Sequence, residues 1–251
     1  MQVTVLGKSP SWQDAAGACS GYLITHEGFT LLLDCGNGIF AKLRSQVDYC
    51  AVDAVLISHL HADHFFDIVP YSFALSYGLR EDAPRPALHA PPGATGHLGT
   101  IGGCLGDESL ITTAFSVSEY DPARTSSLGP LQVSFCEVPH YVLTHAVQIT
   151  APGGGRFTFG ADCRPNEALP RFASGSDLLI LEATLREPET FGTRGHLTAH
   201  EAGEHGRAAG ARRLVLTHFS DELDPARIAA EGAAGFGGEV ELAREGAAFD
   251  V

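Results

Sequence analysis

Four apolar runs in this chain stop on histidine or aspartate, and that repetition limits which folds can hold it. AVLIS at 54–58 leads into His59, His61, Asp63 and His64. LQVSFCEV at 131–138 leads to His140, RFTFGA at 156–161 to Asp162, and RRLVLT at 212–217 to His218. AVLIS is too short for a helix and too continuous for an exposed edge, so it reads as a buried strand, as does RRLVLT, and LQVSFCEV and RFTFGA read as further strands. Imidazoles and carboxylates are costly inside an apolar core, which places them at the rim where a strand ends. The chain therefore needs a fold in which several strand ends share one polar site.

Within SHLHADH at 58–64, extended residues alternate faces, which lets His59 and His61 point the same way. Asp63 and His64 fall where a helix begins and can turn toward the same point, although Asp63 could equally serve as a plain N-cap. Neutral imidazoles together with carboxylates bind zinc, iron or manganese. Four ligands this close in sequence do not easily converge on one tetrahedral ion. Two ions a few ångströms apart are the less strained arrangement. A chain with 12 histidines could also place some at the surface or at caps. The narrow H-x-H-x-D-H spacing at a strand end weighs against that.

Elsewhere, residues 2–6, 20–26 and 29–34 read as strands and 38–47 as a short amphipathic helix. Further strands are expected over 53–58, 131–138, 145–150, 156–161, 177–183 and 212–218, with APGGG at 151–155 turning a hairpin. The pattern predicts helices over 64–77, interrupted near Pro70, over 199–210 and over 224–235, before two short closing strands. Residues 81–113 are rich in Pro and Gly and are the least readable. Without a repeat or linker, 1–251 is expected to form one domain, a two-sheet α/β sandwich.

Charge bears on partners. The formal net charge is −14, with 16 Lys and Arg against 30 acids, which disfavours long nucleic acid as a partner. Bound divalent cations would add positive charge locally. The adjacent pair Arg212-Arg213 reads as flanking a strand. No apolar stretch approaches the roughly 20 residues of a membrane helix. The N-terminal MQVTVLG reads as a strand and not as a signal sequence, so a cytoplasmic protein with no membrane partner is expected. Six dispersed cysteines without a C-x-x-C pair read as reduced thiols.

The succession LLLDCG, SHLHADH, VPH, GAD, LEAT, GHLTAHEAG, LTHFS resembles the metallo-β-lactamase fold superfamily over essentially the whole chain. It looks most like the ribonuclease Z branch and its shorter relatives, the cyclic phosphodiesterases. The resemblance implies a four-layered αββα sandwich with two divalent ions between the sheets, zinc first, with manganese or iron as alternatives. Carried over, His59, His61 and His140 would hold one ion, Asp63, His64 and His218 the other, and Asp162 would bridge them. Asp34 would support a ligand from behind. His145 competes with His140, but the register leading into Ala146-Val147-Gln148-Ile149 favours His140. His145 would then border the pocket or be a satisfied strand histidine. The bridging aspartate is followed here by Cys163, where the family has Thr.

In that branch a histidine matching His196 assists the leaving oxygen, and a glutamate matching Glu182 orients it. A metal-bridging hydroxide would be the nucleophile, with Asp63 also able to hold it in line. His200 and His205 would be surface or packing residues. Leu181 stands where the branch has histidine, and the basic arm that grips transfer RNA is absent, replaced by APGGG. A dinuclear metal-dependent hydrolase is therefore expected, acting on a small or cyclic phosphodiester. Lactone, ester or thioester hydrolysis and transfer-RNA 3′ processing are the alternatives within enzymes. A non-hydrolytic metal protein is the alternative outside them, disfavoured because redox relatives replace the second motif histidine by Glu, whereas His61 is kept. A second copy of the chain, as a homodimer, is left open as a partner.

Overall fold

The computed structural model describes residues 1–80 and 83–251. The first sheet is built from β1 (Gln2–Gly7), β2 (Gly21–His26), β3 (Phe29–Leu33), β4 (Ala54–Leu56), β5 (Ala87–Ala90), β6 (Ser116–Glu119) and β14 (Ala248–Asp250). Their order is β14-β1-β2-β3-β4-β5-β6. The β1-β2-β3 part is antiparallel and β3 through β6 run parallel. The second sheet contains β7 (Ser126–Leu128), β8 (Leu131–Val138), β9 (Thr144–Thr150), β10 (Arg156–Phe159), β11 (Leu178–Glu182), β12 (Leu214–Thr217) and β13 (Glu241–Leu242). Its order is β13-β12-β11-β10-β9-β8-β7, antiparallel from β7 to β10 and parallel from β10 to β13.

The alternation of strand side chains makes three apolar layers out of these two sheets. Val3, Val5, Leu31, Leu33 and Leu56 of the first sheet meet Val133, Ile149, Phe157 and Ile180 of the second in the middle. The opposite face of the first sheet, Leu32, Val55 and Leu88, packs under α1 (Ile39–Gln46), α3 (Ile68–Tyr77), α4 (Ala94–Cys104) and α5 (Leu110–Ala114). Leu179, Leu181 and Leu216 of the second sheet pack under α6 (Ala168–Phe172), α7 (Ala199–Ala209) and α8 (Pro225–Phe236). This is the expected αββα order.

Several boundaries differ from the sequence expectation, each for a local reason. The helix expected over 64–77 is two helices, α2 (Ala62–Phe65) and α3, and the break lies at Phe66-Asp67. Pro70 sits in the first turn of α3, where its missing N–H removes no helix hydrogen bond. The strand expected over 53–58 ends at Leu56, so strand alternation does not orient His59 and His61. Asp63 is not an N-cap: His61 holds that position and Asp63 lies in the first turn. In the unreadable stretch the described residues form β5, α4 and α5, while 81 and 82 lie outside them. The two closing strands separate, β13 joining the second sheet and β14 the first.

Helices α7 and α8 approach closely enough to need glycine. A Cβ on Gly203 would lie 2.2 Å from the Gly232 carbonyl oxygen, and one on Gly235 would lie 2.1 Å from that of His200. Backbone cannot yield as a flexible side chain can, so Gly203→Ala is expected to cost about 1–3 kcal/mol through overpacking. Chemical denaturation would measure it, and an unchanged midpoint would show that the two helices separate freely.

Candidate metal centre

Every polar residue singled out at a strand end lies at the same end of the sandwich. His59 and His61 occupy the loop after β4, and Asp63 and His64 the first turns of α2. His140, Asp162 and His218 follow β8, β10 and β12, and Asp34 follows β3. Two groups result, each with potential ligand atoms within 4.8 Å of one another: His59, His61, His140 and Asp162, then Asp63, His64, Asp162 and His218. Asp162 belongs to both. His61 and His140 are half-buried, whereas the second group is buried throughout. The backbone is bent to achieve this. Asp34, Ala161 and His218 hold φ of 58°, 52° and 56°, in the left-handed region that non-glycine residues rarely adopt.

Hydrogen bonds on the outer side of the imidazoles determine what faces inward. His140 Nδ1 donates to the Gly195 carbonyl at 2.8 Å, and His64 Nδ1 donates to Asp34 Oδ2 at 2.7 Å. Ser58 Oγ donates to Asp34 Oδ2 at 2.8 Å, so it is free to accept from His59 Nδ1 at 3.0 Å. The Thr184 hydroxyl donates to Glu182 and accepts from His218 Nδ1 at 2.7 Å. In all four rings the outer nitrogen carries the hydrogen, which leaves Nε2 with a lone pair toward the centre.

What those lone pairs meet tests whether a cation fits. His64 Nε2 faces Asp63 Oδ2 at 3.4 Å and Asp162 Oδ2 at 3.3 Å, and His218 Nε2 faces the same two oxygens at 3.0 and 3.3 Å. The buried Nε2 atoms of His59 and His64 have no hydrogen-bond partner. Acceptors facing acceptors in a buried site require positive charge between them, from a proton or a metal ion. Burial pushes His59 well below the ordinary histidine value and His140 down to about 4, and lowers His61, so these three remain the neutral imidazoles that ligate metals. His64 departs upward: burial opposes its charge, but the carboxylates of Asp162 and Asp34 outweigh burial. Burial would also raise Asp63, yet the neighbouring His218 and His64 hold it well below the usual carboxylate range. The donor set fits divalent ions, and the buried His/Asp clusters are consistent with a dinuclear site.

A third group adjoins the second: Glu182, His196 and His218. Glu182 ends β11 and is 1% exposed, so it is not a solvated carboxylate. It accepts from His196 Nδ1 at 3.0 Å, from the Cys163 amide at 2.9 Å and from Thr184. Burial works against a charged His196, but Glu182 outweighs it and raises the imidazole to about 9. Its ring lies 5.0 Å from that of His140 and 5.6 Å from that of His218, beside both groups.

Other expectations resolve from geometry. His145 is a satisfied strand histidine within β9, 3.2 Å from the Tyr120 hydroxyl, and joins neither group. Cys163 is fully buried, burial pushes its thiol well up, and it too joins neither group. Leu181 packs under the helices and not into the site, so a leucine there leaves no vacancy beside Glu182. His200 is exposed and His205 packs, accepting from the Asn166 amide. Ser58, Thr184 and the Gly195 carbonyl were not singled out from sequence. Their adjacency to SHLHADH, LEAT and GHLT is the only signal that could have found them.

The class that this sandwich and its His/Asp site define is the probable metallo-hydrolase of metallo-β-lactamase fold. The chain belongs to the beta-lactamase superfamily, whose domain matches residues 29–219. It is 31% identical over 246 residues to the probable metallo-hydrolase YhfI of Bacillus subtilis, covering 98% of each chain. The crystal structure of that metallo-beta-lactamase fold protein superposes with a TM-score of 0.88 at 28% identity, covering 99% of this chain and 98% of that one. Ribonuclease Z of Haloferax volcanii is 25% identical over 303 residues, covering 100% of this chain and 95% of its own. A diphosphatase of the PhnP family shares the fold, with a TM-score of 0.77 at 19% identity over 100% of this chain and 97% of its own. Among the described residues no helix is long and apolar enough to cross a membrane.

Proposed function

We propose that this chain is a dinuclear metal-dependent phosphodiesterase acting on a small or cyclic phosphodiester. The observation that carries the proposal is the Glu182–His196 pair, 3.0 Å apart and adjoining both ligand groups. In this reading His59, His61 and His140 hold one ion, Asp63, His64 and His218 the other, and Asp162 is shared. Zinc is the proposed ion, with manganese and iron as alternatives, since His/Asp sites accept all three. Two such ions supply charge neutralisation at phosphoryl oxygens and an activated water at neutral pH.

The protein's own groups do the rest. His196 directs Nδ1–H at Glu182, which leaves Nε2–H for the leaving oxygen, and an alkoxide leaves poorly without that proton. Glu182 fixes the ring and balances its charge. Asp34, Ser58, Thr184 and Gly195 hold the ligand imidazoles in one tautomer. Asp63 is placed among the inward atoms where it can also orient a water. A small substrate is favoured by the net charge of −14 and by the tight β9–β10 turn, where Gly153 and Gly154 take φ of 95° and 104°. Ribonuclease Z among the relatives supports phosphodiester chemistry, but no basic arm is available here to hold transfer RNA.

A side-by-side assay of the metal-loaded protein tests the proposal. Bis-p-nitrophenyl phosphate and cyclic nucleotides are expected to turn over, and precursor transfer RNA to remain uncut. Hydrolysis of lactones or thioesters without phosphodiester turnover would overturn it.

A further inference from the structure

His196 lies on a segment without regular secondary structure, between the 186–194 loop and α7, and its position has to be imposed from outside. We infer that Arg194 and Glu201 form a clamp that positions His196, an inference that rests on the phosphodiesterase reading above. Arg194 spends three nitrogens on this one segment. Nη1 donates to Glu201 Oε1 at 2.9 Å, Nη2 donates to Glu201 Oε2, and Nε donates to the His196 carbonyl at 3.0 Å. Glu201 Oε2 also accepts from the Thr198 amide and hydroxyl, both at 2.9 Å. The guanidinium and the first turn of α7 thus grip the backbone on both sides of His196.

The same segment has a second duty. The Gly195 carbonyl accepts from His140 Nδ1, and a Cβ at Gly195 would come 2.3 Å from the Tyr141 ring, so the chain here is tightly seated. Leu197 is buried, and its carbonyl accepts from the Leu185 amide at 2.9 Å. Both clamp side chains are 19% exposed, so water competes little for their bonds. Only Arg offers a planar bidentate fork with Nε as a third donor in fixed geometry; Lys does not. The capping box of Thr198 and Glu201 closes without Arg194. A role confined to capping α7 therefore makes Arg194 dispensable, whereas a positioning role does not.

The test pairs two substrates with two measurements on Arg194→Ala and Arg194→Lys. Bis-p-nitrophenyl phosphate expels a phenolate that leaves without help, and a cyclic nucleotide expels an alkoxide that needs a proton. Turnover of the cyclic nucleotide is expected to fall about tenfold more than that of the aryl ester, a fraction of what a general acid contributes. Hydrogen exchange of the Leu185 and Thr198 amides, followed in metal-free protein, is expected to accelerate by about tenfold as well. Lysine should restore neither. Unchanged exchange with an unchanged ratio of the two activities overturns the clamp, as does an equal loss on both substrates, whatever the metal content. If Arg194→Ala does not fold, Glu201→Gln decides by the same ratio, because its amide oxygen can still cap Thr198. His196→Ala run alongside separates the two ideas: if it shows no preference between the leaving groups, the acid reading fails while exchange still judges the clamp.

Discussion

Replacing Asp162 by alanine is expected to lower bound divalent metal from about two equivalents per chain to one or none, and to cut turnover on the order of 10³-fold. The reason is topological. Asp162 is the single residue common to both ligand groups, and its Oδ2 lies 3.3 Å from Nε2 of His64 and 3.3 Å from Nε2 of His218. Without it, the imidazoles of one group lose their only carboxylate and Asp63 alone faces those of the other. The several kcal/mol that metal chemistry contributes to hydrolysis correspond to about 10³ in rate at roughly 1.4 kcal/mol per decade. Asp162→Asn separates charge from volume and is expected to behave almost like alanine. Elemental analysis together with the phosphodiester assay reads both variants, and full metal content with full turnover would show that Asp162 is not shared.

His196→Ala is expected to reduce hydrolysis of a cyclic nucleotide by about 10²–10³-fold while costing far less with a p-nitrophenolate leaving group. The imidazole sits with its Nδ1 on Glu182 and its ring beside those of His140 and His218. It is not grouped with His59, His61 or His64 in either ligand set, so metal content should survive the substitution. Glu182 keeps the Cys163 amide and the Thr184 hydroxyl as partners, which spares the variant an unsatisfied buried carboxylate. Comparing the two substrates is the decisive reading. Equal losses on both would move His196 from proton donor to a structural role.

The site was legible in the sequence because chemistry forced it to be. Histidine and aspartate at the ends of apolar strands have few other uses, and the four strand ends had to meet at one edge for any of them to make sense. The same runs indicate two sheets, while the order of the four layers came from the family resemblance. What stayed hidden was geometry supplied by groups with several possible duties. Ser58 and Thr184 are ordinary hydroxyls until Asp34 and Glu182 are placed beside them. The Gly195 carbonyl carries no sequence mark at all. Strand alternation would point His59 and His61 the same way, and the structure brings them together by another route, since β4 stops at Leu56 and a loop delivers both. Pro70 suggested a break in the wrong place, because a first-turn proline leaves a helix intact. Leu181 stands where the resembling branch has histidine and is part of the core under α7, a placement that only the facing of β11 reveals.

These buried lone pairs and carboxylates are expected to hold two divalent ions. Equilibrating the protein with excess zinc, manganese or iron, removing free ion and determining bound metal per chain tests it most directly. The expected result is about two equivalents, tightly retained. Saturation at no metal, or at a single ion, would show that the two groups do not form a dinuclear site.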